Sequence, residues 1–225
     1  MKYFESFVYF CERVFPRHYL ISFMRKFYIL FAFLTGLIAI SCGTNQNKDM
    51  KSTGTKEILP TEIKENPIEL FDRKWALVTA GVPGDVNTMT ISWGSLGELW
   101  NRPVVTVYVS SSRYTYEFME KNDRFTVAFF PPECRQALQY LGSHSGRDSD
   151  KIAASGLTLE WLESGQPSFK EADMVIEAKK IYGAPFSAEG FGDVPEQFYS
   201  RGRMGVHSVY VGEIEHVWVR GRDGE

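Results

Sequence analysis

A chain of 225 residues, 44% hydrophobic and 15% aromatic, has material for one well-filled domain plus an appendage, since domains commonly run about 100–200 residues. Its formal net charge of −3 argues against nucleic-acid binding, because contacts between basic side chains and phosphates supply most of that affinity. Glycine and proline are scattered and no segment repeats, which excludes repeat arrays and low-complexity linkers.

The N-terminus differs from the rest. Arg25 and Lys26 precede an apolar run, Phe27 to Ile40. That run is shorter than the roughly 20 apolar residues of a membrane span but fits a secretory core of about 7–15 residues behind a positive flank. Ala39-Ile40-Ser41-Cys42 follows and resembles a bacterial lipobox, with Ala39 in place of the usual Leu. Residues 1–41 are therefore expected to be an export segment, with Cys42 lipidated and Met24 the better start. The alternative is a buried helix ending in an ordinary cysteine, which would leave the protein cytoplasmic. The first reading makes the protein a membrane-anchored lipoprotein of a bacterial cell envelope, touching the membrane only through its anchor. Residues 42–69, rich in Lys, Thr, Asn and Glu up to Asn66, read as a solvated tether. With Cys11 removed and Cys42 acylated, only Cys134 remains, as a small packing residue or a reactive thiol.

The folded domain is expected over residues 70–225. Trp75 to Val82 reads as a strand, Pro83-Gly84-Asp85 as a turn, and Asn87 to Trp93 as a strand with period two. Met89, Ile91 and Trp93 share its apolar face; Thr88, Thr90 and Ser92 share its polar face. Val104 to Val109 is a further strand, Tyr114 to Asn122 a short helix, and Arg124 to Phe130 a strand stopped by Pro131-Pro132. Glu133 to Leu141 is expected to be helical with Gly142 as its C-cap. One helical turn is expected over Lys151 to Ser155, ended by Gly156. Strands over Met174 to Tyr182 and His207 to Arg220 flank a loop with a short helix at Pro195 to Tyr199. Many strands with few helices predict a β-rich, mainly antiparallel barrel. No Gly-x-Gly-x-x-Gly opens a helix after the first strand, which argues against a dinucleotide-binding α/β domain.

No metal site is expected: His144, His207 and His216 lack a Cys or carboxylate at ligand spacing. Neither a nucleophile elbow nor a phosphate-binding P-loop occurs. Three polar segments embedded in β structure stand out instead: Asn87-Thr88-Met89-Thr90-Ile91-Ser92-Trp93-Gly94, Ser110-Ser111-Ser112-Arg113-Tyr114-Thr115, and Ser145-Gly146-Arg147-Asp148-Ser149-Asp150-Lys151. Gly156-Leu157-Thr158 follows the third. In order and spacing, over about Leu70 to Val219, this set resembles the flavin reductase-like family, including the flavoredoxins.

That resemblance implies an FMN-binding split β-barrel with a few short helices, and a homodimer with FMN near its interface. The residue chemistry agrees: a flavin needs an apolar slot, hydrogen bonds on one ring edge and an anion site. Asn87, Thr88, Met89, Thr90, Ser92 and Trp93 are expected on the ring side, with core packing the alternative for Trp93. Ser110, Ser111, Ser112, Arg113, Tyr114 and Thr115 are expected at the phosphate, where a helix N-terminus and a guanidinium converge. For the three serines the alternative is a plain helix cap. Arg147 is expected near the flavin or the partner subunit, or else in a salt-bridged surface loop.

His207 follows Gly205-Val206, where many flavin reductases have Gly-Asp-His with the His on the nicotinamide side. Val206 in place of the Asp weakens that role, and a surface His at a strand end is the alternative. Three functions follow: hydride transfer from NAD(P)H to bound FMN, a membrane-tethered electron carrier without NAD(P)H activity, or a non-redox binding module on the same barrel. The aromatics Tyr182, Phe186, Phe191, Phe198 and Tyr199 suit a loop packed on a partner.

Overall fold

Residues 55–199 and 205–221 are described in a computed structural model. The export segment over 1–41, Cys42 and the start of the tether lie outside them. Ten strands are found: β1 (Thr55–Ile58), β2 (Ala76–Val82), β3 (Asp85–Ile91), β4 (Gly94–Leu99), β5 (Arg102–Ser110), β6 (Arg124–Phe129), β7 (Leu159–Trp161), β8 (Pro167–Phe169), β9 (Met174–Pro185) and β10 (His207–Arg220). The helices are α1 (Tyr114–Lys121), α2 (Arg135–Ser143), α3 (Lys151–Ala154) and α4 (Asp193–Tyr199), besides single turns elsewhere.

Eight strands form one sheet in the order β3-β2-β6-β9-β10-β5-β4, with β1 added on β10. Every pair is antiparallel. The two ends of this order, β3 and β4, are consecutive in the chain, so the sheet coils back on itself as a split barrel. β10 is its longest strand, at 14 residues. β9 runs along one side of it; β5 and β1 share the other, opposite His207–Glu213 and Val217–Arg220 respectively.

Period two explains the packing. In β2, Ala76, Val78 and Ala80 face the barrel interior with Phe125, Val127, Ile176 and Tyr210. Leu77 faces the other way, into a second cluster with Ala128, Phe130, Leu138, Leu141, Phe169 and Val175. That cluster lies beneath α2 and the β7–β8 pair, so β2 is buried on both faces. Cys134 packs against the same cluster as a free thiol, its pKa raised by burial, in keeping with a packing residue.

Three features differ from expectation. A strand, β1, lies ahead of the expected start near Leu70; it pairs with β10 through its backbone while Thr55, Lys56 and Glu57 stay exposed. Gly142 is not a cap: α2 continues to Ser143, and Gly142 sits where a Cβ would lie 3.2 Å from the Cβ of Thr90. Its lack of a side chain lets the helix approach β3. The short edge strand β4 is additional.

Candidate functional site

Two adjoining cavities open where β3, β5, the start of α1 and the start of β10 meet. Met89 and Arg113 line both. The larger, 160 Å³, is bounded also by Thr90, Ile91, Ser92, Trp93, Tyr108, Ser110 and His207. The smaller, 70 Å³, is bounded also by Ser112, Tyr114, Thr115, His144, Ser145 and Lys151. Three segments far apart in sequence thus converge on one place.

The smaller cavity is cationic. Arg113 is the N-cap residue of α1, with no side chain capping the helix, so the first N–H groups of the helix lack an intrahelical partner. Lys151, from α3, is 4% exposed, and its Nζ donates to the carbonyls of Leu141 (3.0 Å) and His144 (3.1 Å). These carbonyls belong to the end of α2, so Lys151 also ties down the 144–150 loop. Burial, then the nearby Arg113 guanidinium, pull its ammonium down to about 8. Among the described residues no carboxylate forms an ion pair with Arg113 or Lys151. Thr115 Oγ1 accepts from Asn87 Nδ2 at 2.9 Å, which leaves its own proton free to donate. A phosphate-sized dianion fits this donor set.

Serines play a different part from a plain cap. Ser110 Oγ donates to Gly205 O at 2.9 Å and lies 2.9 Å from Ser112 Oγ, so Ser112 donates to Ser110. Ser111 is exposed, lines neither cavity, and its N–H donates to Val206 O at 3.1 Å. The pair thereby joins the loop before α1 to the start of β10.

The larger cavity is walled by rings. Trp93, 44% exposed, is not a core residue; its ring meets Phe198 edge-on at 5.2 Å and lies 5.1 Å from His207. His207 is 7% exposed, with Nδ1 2.8 Å from Tyr199 Oη. Burial, then Arg113, lower its pKa below the usual 6.5, so the ring is neutral at pH 7.

Two residues expected on the ring side are engaged by neighbouring elements. The Thr88 side chain is fully buried, 2.8 Å from Thr79 Oγ1 and donating to Val78 O at 3.1 Å, and it lines neither cavity. Of the polar face of β3, Thr88 is turned toward β2, whereas Thr90 and Ser92 reach the larger cavity. Thr90 lines the larger cavity but donates to Leu138 O at 2.5 Å, which docks α2 on β3.

Asn87 and Arg147 line neither cavity but an open hollow of 910 Å³ that shares Tyr114 and Lys151 with the smaller one. There Arg147 pairs with Glu117 and sits 4.7 Å over the Tyr114 ring, as a salt-bridged loop residue does. Lys151, His144, Ser145 and Tyr108 are lining residues that the sequence analysis did not place in the site. Lys151 closes the motif Ser145 to Lys151, and that position was the one available signal.

A family model described as "Flavin reductase like domain" matches residues 69–225. Among solved structures, a flavoredoxin from Methanosarcina acetivorans is 26% identical, with a TM-score of 0.50, over 64% of this chain and 67% of its own. An FMN-binding protein from Thermus thermophilus, solved with bound 1-cyclohex-2-enone, is 25% identical, with a TM-score of 0.53, over 73% and 78% of the two chains. An FMN-binding domain of a flavin reductases-like enzyme from Shewanella baltica shares the fold at 18% identity, with a TM-score of 0.54, over 74% and 77%. No curated protein matches the chain.

Proposed function

Because this chain belongs to the flavin reductase-like family, a family of flavin-binding redox proteins, we propose that it holds FMN across the two cavities and passes electrons through it. The observation that carries the reading is the pair of cations Arg113 and Lys151, unpaired with any described carboxylate, at the uncapped start of α1. Their place is the phosphate: a helix N-terminus and charge-assisted donors suit a dianion. Met89, Ser92, Trp93, Tyr108 and His207 then border the ring side. Bound there, the flavin supplies hydride- and electron-transfer chemistry, and the protein supplies position and shelter from water. His207, being neutral and nearly buried, offers a hydrogen-bonding nitrogen rather than a charge. The name of the Thermus relative, an FMN-binding protein, supports FMN in particular.

NAD(P)H is the proposed hydride donor. Val206, where many relatives of this type have Asp, favours a second reading: an electron carrier served by a protein donor. Purified protein should show flavin absorbance bands and oxidise NADH when FMN is added. Flavin bands without NADH oxidation above the no-protein rate would select the carrier, and colourless protein that cannot be reconstituted would leave a non-redox binding module. We further propose a homodimer with FMN near its interface, and export with lipidation at Cys42 as the anchor.

A further inference from the structure

We propose that Tyr199 is a positioning residue for His207: by donating its phenolic proton to Nδ1, it holds the imidazole as the Nε2–H tautomer. The larger cavity then has a hydrogen-bond donor in its wall and not a base. The inference rests on the flavoprotein reading only for what the cavity holds; the Tyr199–His207 pair stands on its own geometry.

Tyr199 Oη lies 2.8 Å from His207 Nδ1. The phenol is held in place by rings. Phe191 stacks on it at 5.3 Å with planes 14° apart, and Phe198 meets it edge-on at 5.2 Å. Phe198 in turn packs on Trp93, and Trp93 on His207. Neither phenylalanine offers an acceptor for the hydroxyl proton. Were Nδ1–H to donate to the phenol, the half-buried hydroxyl proton would find no acceptor among the described residues, and a polar group left unmet is costly. Donation by Tyr199 meets both groups at once. In a neutral imidazole the two nitrogens take opposite roles, so a lone pair used at Nδ1 puts the proton on Nε2. Among the described residues Nε2 has no hydrogen-bond partner.

The consequence is a preference for ligand class. A wall that presents N–H favours a compound placing a neutral acceptor there, such as the oxygen of a carboxamide or a conjugated carbonyl. It disfavours one placing a hydroxyl or ammonium donor. The pair would therefore help orient such a group without moving a proton in the ground state.

Long-range 1H–15N spectra of the full chain without added FMN test this directly. Nδ1 of His207 should resonate as an unprotonated nitrogen and Nε2 as a protonated one. In Tyr199→Phe the ring contacts are kept and the hydroxyl lost, so the single tautomer should give way to a mixture. FMN affinity should stay within about twofold, since the phosphate end is untouched, whereas loss of one donor bond typically gives about tenfold. Protonation at Nδ1 in the wild-type protein would overturn the proposal without any variant, and so would an unchanged tautomer in Tyr199→Phe. Failure of the wild-type protein to bind FMN would count against the flavoprotein reading and leave the tautomer result standing.

Discussion

Bringing Arg113 and Lys151 together around one small cavity costs the isolated protein free energy, and an anion recovers it. A charge-assisted hydrogen bond is typically worth about 1.5–3 kcal/mol. Arg113→Ala should therefore weaken FMN binding by roughly 10- to 150-fold. Riboflavin, which has no phosphate, should lose much less, and the fold should survive because Arg113 sits at a strand-to-helix turn, outside the barrel core. Fluorescence titration with both ligands checks this; equal losses would mean that Arg113 serves the ring and not the phosphate.

Lys151 adds a pH dependence. Its ammonium titrates at about 8 in the free protein, and a bound dianion raises that value. Binding then takes up a proton between about pH 8 and the raised value, so FMN affinity should fall there by up to about tenfold per unit. At the acid end affinity should fall below about pH 6, where a phosphate monoester loses its second charge. In Lys151→Met the alkaline decline should vanish while the acid one stays. A decline of the same size in both proteins would assign it to another group.

Among the elements, the β4–β5 hairpin carries a cost on its surface. Its two turn residues, Trp100 and Asn101, have φ of 53° and 59°, a conformation that suits Asn-Gly and penalises a bulky residue. Trp100 is 64% exposed and has little packing to lose. Replacing Trp100-Asn101 with Asn-Gly should therefore raise stability by about 1 kcal/mol, read as a higher urea midpoint with unchanged slope. A lower midpoint would show that Trp100 is covered in the assembled protein. The same hairpin shows what the sequence conceals. Strands β2, β3, β5, β6, β9 and β10 were legible because they are runs of β-formers, and β10 was bounded at His207 and Arg220 as found. β4 was not, since Gly94, Gly97 and Glu98 have poor strand propensity and the strand is held by pairing with β5. β1 read as tether for a similar reason: exposed polar residues borrow their order from β10. In the site, the convergence of the three polar segments was legible from their chemistry. Burial was not, and burial is what separates Thr88, sealed under β2, from Ser92 at the cavity, and what makes Lys151 a poised cation.

At the scale of the whole molecule, the cavity mouth carries an aromatic surface. Trp93, Phe186 and Phe198 are 37–44% exposed; Phe198 packs on Trp93 and Phe186 on Tyr108, both from the cavity wall. Exposed aromatics beside a ligand groove mark contact with a partner, so the expected state is a homodimer that shelters this rim. Light scattering at micromolar concentration should give twice the chain mass, and Phe198→Glu should shift it toward the monomer; a wild-type monomer would contradict the assembly.

The sheet order has a further consequence, in time. β10 is the last described strand, yet β1 waits on it for its whole ladder and β5 and β9 each for one of their two ladders. While a ribosome adds residues at about 5–20 per second, the edge of β9 stands open for roughly 2–7 seconds and that of β5 for roughly 6–22 seconds after they are made. Open edges pair with whatever strand arrives first. Until His207–Arg220 is made, the waiting chain needs a chaperone or its own solubility to keep those edges apart.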